Sequence, residues 1–185
     1  MNIFSDWLTM LAPSSGTLLL IIAAIALIES LALIGLAVPG VVLLTAAASL
    51  AGHHELSISL TLFAAFMGAV IGDGASFVLG HTQRERIPSI WPFSRHPEWL
   101  AQGARFFQRY GVLSVLIGRF VGPVRPIVPM IAGMMRMPPA TFLWSNLGSA
   151  LLWAPAYVLP GYLLGRTWQR LLVLPDGSER WLIML

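Results

Sequence analysis

Cysteine is absent from the 185 residues, which excludes disulfides, thiolate metal sites and cysteine nucleophiles and says nothing about compartment. Lysine is absent too: all 11 basic residues are arginine, set against 8 acids for a formal charge of +3. Charge of either sign is scarce. Only 10% of residues are charged while 57% are hydrophobic, and mean hydropathy is +0.78. Those values exclude an ordinary soluble domain and describe an integral membrane protein, one small domain of a few spans. The arginines gather between apolar runs, as topology bias and contact with anionic lipid require, and not as nucleic-acid binding would. No basic n-region precedes the first apolar run in MNIFSDWLTMLAPSSGT, so a cleaved signal peptide is not expected.

Residues 1–16, with Phe4, Trp7, Leu8 and Leu11 among polar neighbours, read as an interfacial segment whose aromatics sit among headgroups. From Thr17 to Gly52 the chain is apolar with one charge, Glu29. As a single helix this stretch would run about 54 Å, nearly twice the hydrocarbon thickness of about 30 Å. Pro39 and Gly40 are the expected break, with a longer helix before it and a short one after it. Glu29 is either a partner for a buried arginine or a titrating group, and an ionisable residue at that depth is a functional candidate by default. The turn His53-His54-Glu55 matches no zinc spacing and reads as a wet turn; no metal or other cofactor is expected. Ser57 to Gly80 is a span dense in glycine with one acid, Asp73, and small residues at that density admit a second helix closely.

His81 to Tyr110 is the main polar segment, with Arg84, Arg86, Arg95, Arg105 and Arg109, and is the cytoplasmic loop by its positive charge. From Pro97 it reads as an amphipathic helix, Glu98, Gln102, Arg105 and Arg109 on one face and Trp99, Phe106 and Tyr110 opposite. That helix lies either on the bilayer surface or on the protein's own cytoplasmic side. Ala140 to Gly165 is a further span, uncharged, carrying Trp144, Asn146, Trp153, Pro155, Tyr157, Pro160 and Tyr162. Asn146 is suited to interhelical glue or to a headgroup. Residues 171–185 form a tail, the start of a further segment if the polypeptide is longer.

The stretch that organises the chain is Gly118 to Gly133, GRFVGPVRPIVPMIAG. It is apolar enough for hydrocarbon yet carries Arg119, Arg125, Pro123, Pro126 and Pro129. Arginine at bilayer depth is costly, and proline removes donors from a helix, so both are tolerated only inside protein or beside a wet cavity. On an unbroken helix residues six apart would face about 240° from one another. The prolines are expected to break the helix and let both guanidinium groups converge. Because guanidinium is permanently charged and forks onto phosphate or carboxylate, a converging pair implies an anionic ligand or two buried acids.

The two halves share a plan: a proline-broken apolar segment with buried charge, then a span ending Leu79-Gly80-His81 or Leu164-Gly165-Arg166. Interrupted helices in corresponding positions point to a site at the repeat interface near mid-membrane. At Glu29 with Pro39-Gly40, GDGASFVLG, FFQRYG, GRFVGPVRPIVPMIAG and the later GYLLG, over about residues 15–170, the chain resembles the DedA family, also called the SNARE-associated or VTT domain. The resemblance implies an all-α membrane domain over 17–170, a helical bundle of spanning helices and two broken or re-entrant hairpins in inverted repeat. It also implies a bacterial inner-membrane protein that moves undecaprenyl phosphate or phospholipid between leaflets, with a dependence on proton motive force proposed for the family. The family's essential acid falls on Glu29 and its two arginines on Arg119 and Arg125. Many members carry an acid directly after the Pro-Gly break, where this chain has Val41, so a two-acid proton relay here needs Asp73 as the second carboxylate. The implied partners are anionic phosphate lipids and protons.

Three other readings compete. GRFVGPVRP superficially resembles the first motif of type-2 phosphatidic acid phosphatases, but the Pro-Ser-Gly-His element and the later histidine nucleophile of that chemistry do not occur, so no catalysis is expected. A proton-coupled transporter of ions or drugs is disfavoured for cations by two arginines in the site. A non-transporting assembly factor would use the buried charges only to lock its fold. Orientation is open as well. If both broken segments cross, the termini lie with the arginine-rich loop, which the charge distribution favours; if both re-enter, the termini lie opposite it, as the resemblance implies.

Overall fold

The chain was described with a computed structural model, which covers residues 14–36, 39–121 and 125–172, with side chains as far as residue 167. The expectations for residues 1–13, for Pro123 and for the tail beyond residue 172 fall outside the described residues. All regular elements among them are helical. They are α1 (Ser15–Ser30), α2 (Gly40–His53), α3 (Ile58–Gln83), a 3₁₀ turn (Ile87–Ser89), α4 (Pro97–Tyr110), α5 (Leu113–Gly118), α6 (Ile127–Met134) and α7 (Pro139–Leu172).

Length separates the helices into two kinds. At 1.5 Å per residue α3 and α7 run about 39 and 51 Å and can cross a hydrocarbon core of about 30 Å, and both are apolar enough to do so. The limbs α1 and α2, at 16 and 14 residues, run only about 24 and 21 Å. The limbs of the second broken segment, α5 and α6, have 6 and 8 residues. Pro155 and Pro160 lie inside α7 without ending it.

Local chemistry sets the helix ends. Ser14 caps α1 by accepting from the Thr17 amide at 3.2 Å, so the helix begins inside the stretch read as interfacial. It ends at Ser30, well before the expected break at Pro39. The Ser76 hydroxyl of α3 donates to the Ser30 carbonyl at 3.1 Å and accepts from the Ala32 amide at 2.9 Å, and those bonds replace the next helical turn. Pro39 then stands as the N-cap of α2 and Gly40 as its first residue. In the second segment α5 stops at Gly118 and α6 starts at Ile127 with Pro126 as N-cap. Pro129 is not a break: it sits in the first turn of α6, where a missing N–H costs nothing.

Glycine contacts give the helix directions. A side chain at Gly68 would strike Ala23 and one at Gly72 would strike Leu27, so α1 runs parallel to α3. Gly161 meets Thr45 and Gly165 meets Ser49, so α2 runs parallel to α7. The spans themselves are antiparallel: Phe77 stacks on Phe142 at 4.1 Å, Asn146 donates to the Val70 carbonyl at 3.2 Å, and Tyr162 bonds the Leu56 carbonyl. It follows that α1 and α2 are antiparallel. The first broken segment doubles back on itself, which corrects the charge-favoured picture in which it crosses.

The hairpins pack crosswise. α1 and α6 lie on α3, while α2 and α5 lie on α7. Each span thus holds the first limb of its own hairpin and the second limb of the other, the exchange that a two-fold repeat produces. The crossings repeat in detail: Gly80 meets Met130 and Gly133 meets Phe77, as Gly165 meets Ser49 and Gly52 meets Tyr162. Both second limbs also end alike. Leu56 N bonds the Ala51 carbonyl and Met137 N the Ala132 carbonyl, each at 3.0 Å, with Glu55 and Arg136 at φ +52° and +58° in the position glycine usually takes.

The helix α4 packs on the protein. Its Gly103 faces Ile127 and Ile131 of α6, and Trp99, Leu100 and Phe107 join the cluster around Phe93, Met130 and Ile131. Glu98, Gln102, Arg105 and Arg109 are exposed as expected, whereas Tyr110, expected on the apolar face, is exposed too. The bundle core joins Leu18 and Ile22 of α1, Leu44 of α2, Ala65 of α3 and Trp153 and Val158 of α7.

Candidate functional site

The break in the first hairpin leaves Glu29 on the last turn of α1, 4% exposed. Gly40 lies directly on its side chain, so that a Cβ there would fall 2.5 Å from the carboxyl carbon. The N-terminal end of α2 is therefore set against this carboxylate. Across the molecule, the end of α5 leaves Arg119 as its C-cap, 4% exposed, and Arg125 follows just before α6.

These four charges come together as two ion pairs. Arg125 Nη1 binds Glu29 Oε1, linking the two hairpins at their breaks. Arg119 Nη2 binds Asp73 Oδ2, linking the second hairpin to α3, and also donates to Asn146 Oδ1 of α7 at 2.9 Å. Asn146 in turn donates to the Val70 carbonyl, so it both ties the two spans and holds the arginine. The pairs share a floor. The Trp153 indole lies 5.5 Å from the Arg119 guanidinium carbon and 4.7 Å from that of Arg125, and Tyr157 is 5.8 Å from Arg125. Cation–π contact strengthens when desolvated, as here.

Two cations and two anions sum to zero, the balance a low-dielectric interior favours. The hydrogen bonding does not balance. Glu29 Oε2, Arg119 Nη1, Arg125 Nη2 and Trp153 Nε1 are buried with no protein partner. Buried polar atoms are nearly always satisfied, so four orphans in one cluster give it unspent donor capacity: three N–H-bearing nitrogens beside one carboxylate oxygen. An oxyanion of phosphate type can use that set.

Sequence reasoning found Glu29, Asp73, Arg119 and Arg125, and the structure brings all four together. Asp73, at 5% exposed, is the partner of Arg119. Pro39, Gly40 and Pro126 lie at the breaks as expected. Trp153 and Tyr157 were missed, and Asn146, suited by sequence to interhelical glue or to a headgroup, bonds both the Val70 carbonyl and Arg119. The signal was available: counting back in step from Gly80 and Gly165, Trp153 and Tyr157 fall where the first repeat has Gly68 and Gly72. Large rings replace the glycines that seat α1, and the guanidinium groups lie on those rings. Among the described residues no three acidic or histidine side chains come together to hold a metal ion.

Residues 38–163 match the VTT domain. The inner membrane protein YabI of Escherichia coli is 36% identical over 167 residues, 90% of this chain and 65% of that protein. An uncharacterized membrane protein of Buchnera aphidicola from Acyrthosiphon pisum, BU139, is 29% identical over 97% of this chain and 71% of its own length. A Mycobacterium tuberculosis membrane protein, Rv2637, is 32% identical over 79% of this chain and 68% of its length. The chain thus spans just under two thirds of the YabI sequence. No solved structure matches it. With the matched segment running from the second limb of the first hairpin through α3 and the second hairpin into α7, the chain belongs to the VTT domain family, the DedA family of membrane proteins.

Proposed function

We propose that the protein is a translocator and not an enzyme, carrying an anionic phosphate lipid, undecaprenyl phosphate or a phospholipid, between leaflets of a bacterial inner membrane. The observation that carries this reading is the sharing of Trp153 by Arg119 and Arg125, each with a buried nitrogen left unpaired. A headgroup phosphate that engages those donors adds negative charge to a cluster that is neutral without it. Neutrality returns if one carboxylate takes up a proton, which couples ligand to proton by electrostatics alone. Glu29 is the better candidate for that proton because the oxygen it does not give to Arg125 is buried without a partner.

Reconstitution into liposomes with labelled lipid tests the reading. Leaflet exchange is expected from the intact chain. Arg119→Lys and Arg125→Lys are expected to slow it about tenfold or more, since ammonium cannot fork onto two oxygens. Glu29→Gln is expected to remove the response of exchange to a pH gradient. Three variants that exchange lipid as the parent does would sink the mechanism, and ion flux without lipid exchange would move the assignment to an ion transporter.

A further inference from the structure

The charge cluster has a neighbour on the outer surface of the bundle. A groove of about 340 Å³ runs between α3 and α7 from Val70 and Asn146 to His81 and Thr82, and the Phe77 and Phe142 stack belongs to its lining with Val78 and Leu143. Gly74 opens it further, for nothing lies within 4 Å of a Cβ built there. Where the groove ends, a polar pocket of about 480 Å³ begins, sharing His81 and Thr82 with it and lined by Arg84, Glu85, Arg86 and Arg136. Three arginines face one acid, and Glu85 is 3.6 Å from Arg84 with its side chain 86% exposed.

We propose that this surface is a docking site for an anionic phospholipid, its headgroup among Arg84, Arg86 and Arg136 and one acyl chain in the groove. Depth fits: from Val70 to Thr82 the helix rises roughly 18 Å, about half of a hydrocarbon core of about 30 Å, so the groove is as long as one leaflet is deep. The pocket then falls at the level of that leaflet's phosphates. The backbone gives independent support. Arg136 adopts φ +58° at a position where glycine is favoured, and its counterpart in the other repeat is Glu55, of opposite charge. Nothing in the turn itself therefore calls for arginine, and its charge is free to serve the pocket. At the inner end Asn146 belongs both to the groove and to the Arg119 contacts, so a docked lipid would lie against the gate of the buried cluster. That last role, as a loading position, rests on the translocation reading; the docking does not.

The test uses the full chain in vesicles containing phosphatidylglycerol or phosphatidylcholine with a photoactivatable group in the acyl chain, cross-links being mapped by mass spectrometry. Labelling within 70–82 and 139–146 is expected to favour phosphatidylglycerol. Arg136→Gly keeps the turn, so the fold should melt no lower, yet it should cut that preference about fivefold, the ratio that corresponds to about 1 kcal/mol per basic residue near an anionic surface. Arg86→Gln should add a similar loss. Equal labelling by the two lipids, or a preference unchanged in both variants, would overturn the proposal. Labelling lost with exchange intact removes the docking site only, and exchange lost with labelling intact removes the translocation reading only.

Discussion

At the scale of single residues, the Asp73–Arg119 pair invites a thermodynamic cycle. Removing one partner of a buried pair leaves the other charge uncompensated and costs about 3–5 kcal/mol. Asp73→Asn or Arg119→Gln alone should therefore lower the melting temperature in detergent sharply. The double variant removes both charges, and it should be more stable than the two separate losses added together by about 1–3 kcal/mol. Additive losses would mean that the two side chains do not interact across α3 and α5. That these residues would need partners was legible, because charges are rare in this chain and each one inside an apolar run is costly. Which acid meets which arginine was not legible. Pairing depends on where the helices break, and α1 ends at Ser30 where the Ser76 hydroxyl takes the Ser30 carbonyl and the Ala32 amide, a contact between residues distant in sequence.

At the scale of elements, neighbouring glycines on α3 should respond to alanine with opposite signs. A Cβ added at Gly72 would fall 2.5 Å from the Leu27 carbonyl oxygen and 2.7 Å from the Ser30 Cβ, whereas one added at Gly74 would meet nothing within 4 Å. Gly72→Ala must push α1 away and should destabilise by about 1–3 kcal/mol, while Gly74→Ala should stabilise by up to about 1 kcal/mol through helix propensity. Thermal melts of the two variants side by side decide it; the same sign for both would contradict the packing of α1 on α3. Glu55→Gly bears on the helix end in the same way. Its φ of +52° is unfavourable for a residue with a Cβ by roughly 1–2 kcal/mol, so glycine there should raise the melting temperature. The spans and the amphipathic α4 were readable from hydropathy and period. The limbs were readable only as too much apolar chain for one crossing, because the lengths of helices broken by tertiary hydrogen bonds are not written in local propensity.

For the whole molecule the question is which ends share a face, and the cysteine-free chain makes labelling of introduced thiols unambiguous. α1 starts where α3 starts, since the two are parallel, and α7 ends there, since it is antiparallel to α3. Gly16 and Thr167 should then lie on one side and the loop at Ser94 on the other; all three positions are exposed. Charge at first sight opposes this, because it leaves Arg166 and Arg170 on the side away from the loop. The opposition disappears once Arg136 is counted where it lies, around one pocket with Arg84 and Arg86. The loop side then holds Arg84, Arg86, Arg95, Arg105, Arg109 and Arg136, and the positive-inside bias still points that side to the cytoplasm. In cells, a membrane-impermeant maleimide added from outside should label Gly16→Cys and Thr167→Cys and spare Ser94→Cys until the membrane is opened. Gly16→Cys protected together with Ser94→Cys would mean that the first hairpin crosses the bilayer. The meeting of Glu29 and Arg125 at two facing breaks would then fail with it.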